Sequence, residues 1–492
     1  MLFNSLQFAI FFPIITILYF VLPHRSRGAL LLAASCLFYM AFVPAYIAVL
    51  FTTILIDFVA GRQIEIATGT RRRTWLVVSV ISTCAVLFIF KYLDFFNESA
   101  ATLAQSLGMT YAVPALRLLL PVGLSFHTFQ SLSYVIEVYA GRQRAEQRFG
   151  TYALYVMFYP QLVAGPIERP QNLRHQFDEP HTFDYDRVVS GLQLMAWGFV
   201  KKVVVADRLA PLANQVYDAP RDYAGLPLII GTVAFAFQIY CDFSGYSDIA
   251  IGAAQVMGFR LMRNFHRPYS ARNIAEFWQR WHISLSTWFR DYVYIPLGGN
   301  RTGRSRMLAN VIITFLVSGL WHGAHWTFVL WGALHACYLA GAILSARWRA
   351  WLRETAGIDR YPALLAAWQT SATFVLVTVG WVFFRATSVR DALYVLSHLL
   401  SGVPAQLASI TSGDAVVISH ALLLEQSRPQ MLLAALAVFA VLAIEAQQSR
   451  GSLRARISLA PAPVRWTAYS AVVLVIMTLG VFGSAKFIYF QF

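Results

Sequence analysis

The sequence predicts an all-α protein that crosses a membrane many times. Three observations carry this. Hydrophobic residues make up 58% of the 492 positions and charged residues only 13%, whereas soluble chains carry about 25% charge. Uncharged runs near the length needed to span a bilayer, about 20 residues, recur along the chain. The basic residues gather in the short loops between those runs, as in polytopic proteins. A globule this poor in charge has too little polar surface to face water. A soluble enzyme, a secreted disulfide scaffold and a disordered chain are all excluded on that ground. The 37 Phe, 23 Tyr and 13 Trp fit lipid and its interfaces.

The elements follow in order. The run 2–23 is the first. It has no charge and no basic leader, so it reads as a retained first span and not a cleaved signal peptide. The run 28–56 is interrupted at Pro44 and reads as two helices or a hairpin. Runs 74–90, 118–136 and 149–167 come next, the last containing Pro160 and Pro166 and so open to a re-entrant path. Run 223–241 precedes a small-residue stretch, 249–259. Segment 307–346 holds 40 residues without Asp, Glu, Lys or Arg, enough for two passes. Runs 361–384, 429–444 and 466–485 finish the chain. The expectation is roughly 10–12 spans. Segments 168–221 and 260–306 are more polar yet rich in aromatic residues, which suits interfacial helices. No repeat or long linker divides the chain, so one membrane body over 1–492 is expected. Within it, 1–148 supplies N-terminal spans, 149–346 a catalytic core with interfacial helices, and 347–492 C-terminal spans.

Charge gives orientation. Arg25 and Arg27, Arg62 with Arg71–73, and Arg142, Arg144 and Arg148 fall on alternate loops. Arg347, Arg349, Arg353 and Arg360 share a side with Arg450, Arg454 and Arg456. The positive-inside rule makes these sides cytoplasmic, so both termini face outward. The net charge of +15 is then topological and headgroup-directed, and no nucleic-acid partner is expected. Cys36, Cys84, Cys241 and Cys337 lie in apolar stretches without a Cys-x-x-Cys pair, and read as buried structural thiols. No metal site is indicated.

Three constellations bear on chemistry. The first is Ser318-Gly319-Leu320-Trp321-His322-Gly323-Ala324-His325-Trp326, inside the uncharged segment. A histidine at membrane depth faces a protein interior or wet cavity, and its near-neutral pKa suits proton exchange. The same residue also suits a structural bond to a neighbouring helix. Gly319 and Gly323 leave room for a backbone or a substrate. The second runs from Asn273 to Tyr292. Read as one helix, it sets Trp278, Trp281, Leu285 and Trp288 on an apolar stripe with His282 beside it, while Arg280, Arg290 and Asp291 reach water. It suits an interfacial helix with an incidental histidine as well as a site. It ends in the turn Pro296-Leu297-Gly298-Gly299-Asn300, where Arg301 and Arg304 are candidate phosphate contacts. The third is Gln238 to Asp248, whose Asp242, Ser244, Ser247 and Asp248 suit orienting a histidine, binding a cation or satisfying broken backbone near Gly245. The remaining histidines (His24, His127, His175, His181, His266, His335, His398, His420) read as structural or loop residues. There is no Gly-x-Ser-x-Gly elbow, Walker loop, His-Glu-x-x-His or dinucleotide fingerprint.

Segments 277–300, 240–252 and 319–332 together resemble the membrane-bound O-acyltransferase (MBOAT) family, most closely its bacterial alginate O-acetylation branch. The opening 1–23, Leu120-Pro121-Val122-Gly123-Leu124-Ser125-Phe126, Leu162-Val163-Ala164-Gly165-Pro166 and the closing Phe487-Ile488-Tyr489-Phe490-Gln491-Phe492 resemble it too. The resemblance therefore runs over nearly the whole chain. It implies a ring of helices around a thin central region, crossed by a tunnel. It assigns catalysis to the histidine of Trp-His-Gly, here His322, with a second polar residue, Asn or His, at the position of His282. Two positions depart from the alginate pattern: His325 replaces an Asn, and Cys241 replaces a Phe.

The implied activity is acyl transfer. A cytoplasmic thioester donor, acetyl-CoA or an acyl-carrier thioester, gives up its acetyl group. No resident cofactor is implied. His322 acts as general base or acyl relay, and His282 orients the acyl group or stabilises charge. A periplasmic acetyltransferase partner completes O-acetylation of an exported polysaccharide such as alginate at the bacterial inner membrane. Cellulose, peptidoglycan or D-alanylated teichoic acid are alternative acceptors, and a transporter subunit without chemistry is the rival class.

Overall fold

The computed structural model describes residues 1–116, 118–163, 165–449, 451–483 and 487–488. Ala164, Arg450, Ala485 and residues 489–492, used in the readings above, lie outside the described residues. All regular elements among the described residues are helical. They group into two compact units, residues 1–195 with 246–263, and residues 196–245 with 264–492.

The first unit opens with α1 (Leu6–Val21), whose first turn is capped by the Ser5 hydroxyl accepting the Phe8 N–H at 3.2 Å. α2 (His24–Met40) and α3 (Tyr46–Ile66) meet at a turn containing Pro44, as the sequence suggests. α4 (Gly69–Leu87) continues through a π-helical turn, Phe88–Tyr92, into α5 (Leu93–Ser106). Asp57 is fully buried on α3. Its carboxylate accepts hydrogen bonds from Ser79 (2.6 Å) and Thr83 (3.1 Å) of α4, which offsets the cost of placing it at membrane depth. After α6 (Leu124–Tyr139), α7 (Phe149–Met157) has only nine residues, and the chain then turns at Pro160. α8 (Pro170–Leu173) follows, and the buried Glu168 before it accepts from Asn172 at 2.9 Å and from the Met262 amide. Segment 149–167 is thus not a span.

α9 (Tyr185–Phe199) carries the chain into the second unit, through a π-helical turn at Val200–Ala206 to α10 (Asp207–Asp218). α11 (Leu226–Met257) is one unbroken helix of 32 residues. It absorbs both the run at 223–241 and the small-residue stretch at 249–259, and it is not broken at Gly245. A Cβ at Gly245 would lie 2.7 Å from the Gly198 carbonyl oxygen, so this glycine serves close helix approach. The neighbouring polar residues are satisfied from that side. Lys202 Nζ lies 2.8 Å from Asp207 Oδ1 and 2.7 Å from Asp242 Oδ1, and Lys201 donates to Ser244 Oγ at 2.9 Å. The second Asp242 oxygen accepts the Ile488 N–H at 2.8 Å.

Then come α12 (Ile274–Arg280), α13 (Ile283–Phe289), α14 (Arg304–His322), α15 (Trp326–Leu344), α16 (Ala346–Thr355), α17 (Pro362–Arg385), α18 (Val389–His398), α19 (Val403–Thr411), α20 (Ala415–Val417), α21 (Arg428–Gln448), α22 (Leu453–Leu459) and α23 (Ala462–Leu479). The segment 307–346 folds as a hairpin of α14 and α15, but only α15 is among the helices long and apolar enough to cross a membrane. Among the described residues eight helices are long and apolar enough to cross a membrane, or nine if the bent pair α18 and α19 counts as one. The chain is a multi-pass membrane protein. The count falls below the expected 10–12 because α1, α2, α6, α7 and α14 are too short or too polar to qualify, although residues 185–218, expected at the interface, form a candidate span. The cysteines also depart from expectation. Cys241 is buried, but Cys84 and Cys337 are exposed on candidate spans, where the surrounding solvent is lipid.

Candidate active site

The second unit brings His282 and His322 together. Their ring centroids lie 6.3 Å apart, and both side chains are buried. His322 is the last residue of α14. Its ring meets Trp321 at 5.0 Å, Trp331 of α15 at 4.9 Å and Phe384 of α17 at 5.4 Å. The hairpin that places it is unusually tight. A Cβ at Gly319 would come 2.3 Å from the Phe328 carbonyl oxygen, and one at Gly332 would come 2.3 Å from that of Phe315. The glycines therefore admit a backbone, the packing that small residues allow between membrane helices.

His282 reaches the same place by another route. The segment 273–292 is not one helix. α12 ends at Arg280 and α13 begins at Ile283, and between them His282 adopts a left-handed backbone, φ 43° and ψ 54°. That conformation is uncommon outside glycine and persists only when neighbours enforce it. Here the buried Asn264 does so. Its carbonyl accepts the Ile283 N–H at 2.9 Å, and its side-chain oxygen accepts the Ser284 hydroxyl at 2.9 Å. The break turns the imidazole inward against Phe243 (4.6 Å, edge-on) and Trp321 (6.1 Å). Trp281, Leu285 and Trp288 are buried within the protein, not laid on a membrane surface. Burial pushes the His282 pKa down to about 3, so the imidazole is neutral at physiological pH.

A third histidine joins this aromatic cluster. His335 of α15 is fully buried, its ring 5.0 Å from Trp331, and its Nδ1 accepts the Trp278 indole N–H at 3.3 Å. That bond leaves the ring proton on Nε2 in the neutral form. Sequence reasoning set His335 aside as structural, and it also missed Asn264. The only sequence signals for them are His335 lying nine residues after Trp326 on the same helix, and an Asn between two arginine-rich stretches. His325 caps α15: its Nδ1 accepts the Thr327 N–H at 3.4 Å, the job an Asn amide oxygen does at a helix start. The turn after α13 is as expected, but the N–H groups of Gly298 and Gly299 donate to the Ile295 and Tyr294 carbonyls. The glycine pair is therefore no anion cradle. Arg301 and Arg304 are both exposed, and Arg304 donates to the Ile343 carbonyl at 3.4 Å.

Residues 142–377 match the description "MBOAT, membrane-bound O-acyltransferase family". The chain is 38% identical over 418 residues to the probable alginate O-acetylase AlgI of Pseudomonas aeruginosa, covering 84% of this chain and 78% of that protein. The chain belongs to the membrane-bound O-acyltransferase family. It is an O-acyltransferase, and the buried imidazole pair lies within the matched residues. It is also 34% identical over 438 residues to a peptidoglycan O-acetyltransferase of Helicobacter pylori, covering 82% of this chain and 81% of that one. A teichoic acid D-alanyltransferase of Streptococcus thermophilus is 30% identical over 253 residues, 49% of this chain and 59% of that one.

Proposed function

We propose that this enzyme acts on envelope polymers, taking an acetyl group from a cytoplasmic thioester donor, a coenzyme A or carrier-protein ester, and passing it across the inner membrane for O-acetylation of an exported polysaccharide. The observation that carries this reading is the pair of buried imidazoles, His282 in the break between α12 and α13 and His322 at the end of α14, 6.3 Å apart. His322 removes the proton from an acceptor hydroxyl. The oxygen attacks the thioester carbonyl, the carbon–sulfur bond breaks, and the imidazolium returns the proton to the leaving thiolate. General-base help of this kind is worth about 10²–10⁴-fold. His282, neutral and held by a rigid backbone, donates a hydrogen bond to the developing oxyanion. The arginine-rich loops face the cytoplasm, both termini face the periplasm, and a periplasmic acetyltransferase receives the group. Arg301 and Arg304 attract the donor's phosphates.

Alginate is the first acceptor to test, because the relatives carrying that name match over most of the chain. The Helicobacter pylori relative, aligned over 82% of this chain and 81% of its own length but at the lower identity of 34%, makes peptidoglycan the second. Purified protein in nanodiscs is given radiolabelled acetyl-CoA and each polymer, with the periplasmic fraction supplied or withheld. Label on one polymer that disappears in a well-folded His322→Ala variant is the expected result. Full transfer by that variant would remove His322 from the chemistry.

A further inference from the structure

A groove of about 1140 Å³ lies at the far end of α15 from the imidazole pair, between α15, α16 and the start of α17. Its wall is apolar: Leu339 and Ile343 of α15 face Leu365 and Trp368 of α17. Its rim is basic, formed by Arg272, Arg349 and Arg353. α15 and α17 are both candidate spans, and the groove sits where one ends and the other begins. It therefore lies at the boundary between hydrocarbon and headgroups. α16 has the composition of a helix lying in that boundary, with Trp348 and Trp351 exposed beside three arginines.

Two details show that the arginines are arranged around the opening. Arg349 folds over the end of α15, donating to the Ala342 carbonyl at 2.6 Å and the Ser345 hydroxyl at 3.1 Å. Arg353 is half-buried, and its Nε is enclosed with no hydrogen-bond acceptor in the protein. A buried donor without an acceptor is costly, and an anionic oxygen in the groove would satisfy it. We propose that this groove binds one anionic phospholipid. Its phosphate sits among Arg272, Arg349 and Arg353, and an acyl chain lies along the wall formed by Leu339, Ile343, Leu365 and Trp368. The match is one of charge and shape: a negative head, a hydrocarbon tail, and a site at the depth where both occur. Asn273 and Ala275 at the start of α12 also line the groove, so the lipid braces the helix that leads to His282.

The test uses the full-length protein in neutral detergent, stripped of lipid and then offered phosphatidylglycerol or phosphatidylcholine. Native mass spectrometry reads the bound lipid. Wild-type protein should retain phosphatidylglycerol on the order of 10²-fold better, given a gain of about five-fold for each of the three arginines near an anionic headgroup. Arg349→Gln with Arg353→Gln should cut that preference to about five-fold, the share left to Arg272, and Arg349→Lys with Arg353→Lys should keep most of it. Ile343→Trp, which fills the wall and leaves the arginines intact, should lower retention of both lipids. Equal retention of the two lipids by wild-type protein would overturn the proposal, and so would an undiminished preference in the Gln variant. Displacement of phosphatidylglycerol by coenzyme A would also overturn it, by assigning the groove to the acyl donor. The wild-type arms stand even where a variant fails to fold.

Discussion

Replacing Gly319 by alanine tests the packing that places His322. The added Cβ would sit 2.3 Å from the Phe328 carbonyl oxygen and 3.4 Å from Gly332 Cα. Ordinary contact begins near 3.4 Å, so the backbones of α14 and α15 must part by about 1 Å. Overpacking of this kind costs about 1–3 kcal/mol of stability. His322 lies one turn further along α14, and the same displacement moves it relative to His282. A misplacement of about 1 Å costs on the order of 10²-fold in rate. Gly341 is the control. It lies later in α15, and a Cβ there meets nothing within 4 Å, so Gly341→Ala should be neutral or stabilising by up to about 1 kcal/mol. Acetyl transfer in membrane vesicles reads the chemistry, and the unfolding midpoint in detergent reads the packing separately. A Gly319→Ala enzyme with wild-type rate and midpoint would refute the close-packed hairpin as the element that positions His322.

Two further outcomes follow from the site. The folded protein holds His282 neutral down to about pH 3, while the unfolded chain binds its proton near pH 6.5. The unfolded state therefore carries the extra proton between those values, and stability falls as the pH drops through that window. At pH 5 the loss is about 2 kcal/mol; His282→Gln should flatten the rise in thermal inactivation between pH 7 and 5, and an unchanged slope would count against a neutral buried imidazole. At the start of α15, His325→Ala should cost about 1 kcal/mol in the unfolding midpoint and His325→Asn almost nothing, since only the alanine removes the acceptor for the Thr327 N–H. Equal melting of the two variants would remove the capping role.

Much of this was legible in the sequence, and the failures have physical causes. The α14–α15 hairpin and His322 at its bend could be read because 40 uncharged residues are two spans long, and the Trp-His-Gly segment falls mid-way. The break at His282 could not. Every residue from Ile274 to Phe289 is compatible with a helix, and the turn is imposed by Asn264, distant in sequence. The unbroken α11 was hidden for the opposite reason. Its polar stretch around Asp242 looks like a helix end, but Lys201 and Lys202 satisfy it from another helix. Local composition sees neither kind of long-range partner. The resemblance to a family supplied the pairing of His282 with His322, which spacing alone left open.

The left-handed backbone at residue 282 filters its side chain before any chemistry is asked of it. Apart from glycine, which carries no functional group, the residues that tolerate this conformation best are asparagine, aspartate and histidine. Aspartate would bring an unpaired negative charge into an aromatic cage. The polar choices that remain are the two residue types, Asn and His, that the family resemblance associates with this position. The torsion angles at residue 282 thus narrow the polar side chains it accepts to these two, and a designer who wishes to install a third chemistry there must first rebuild the loop that Asn264 ties down.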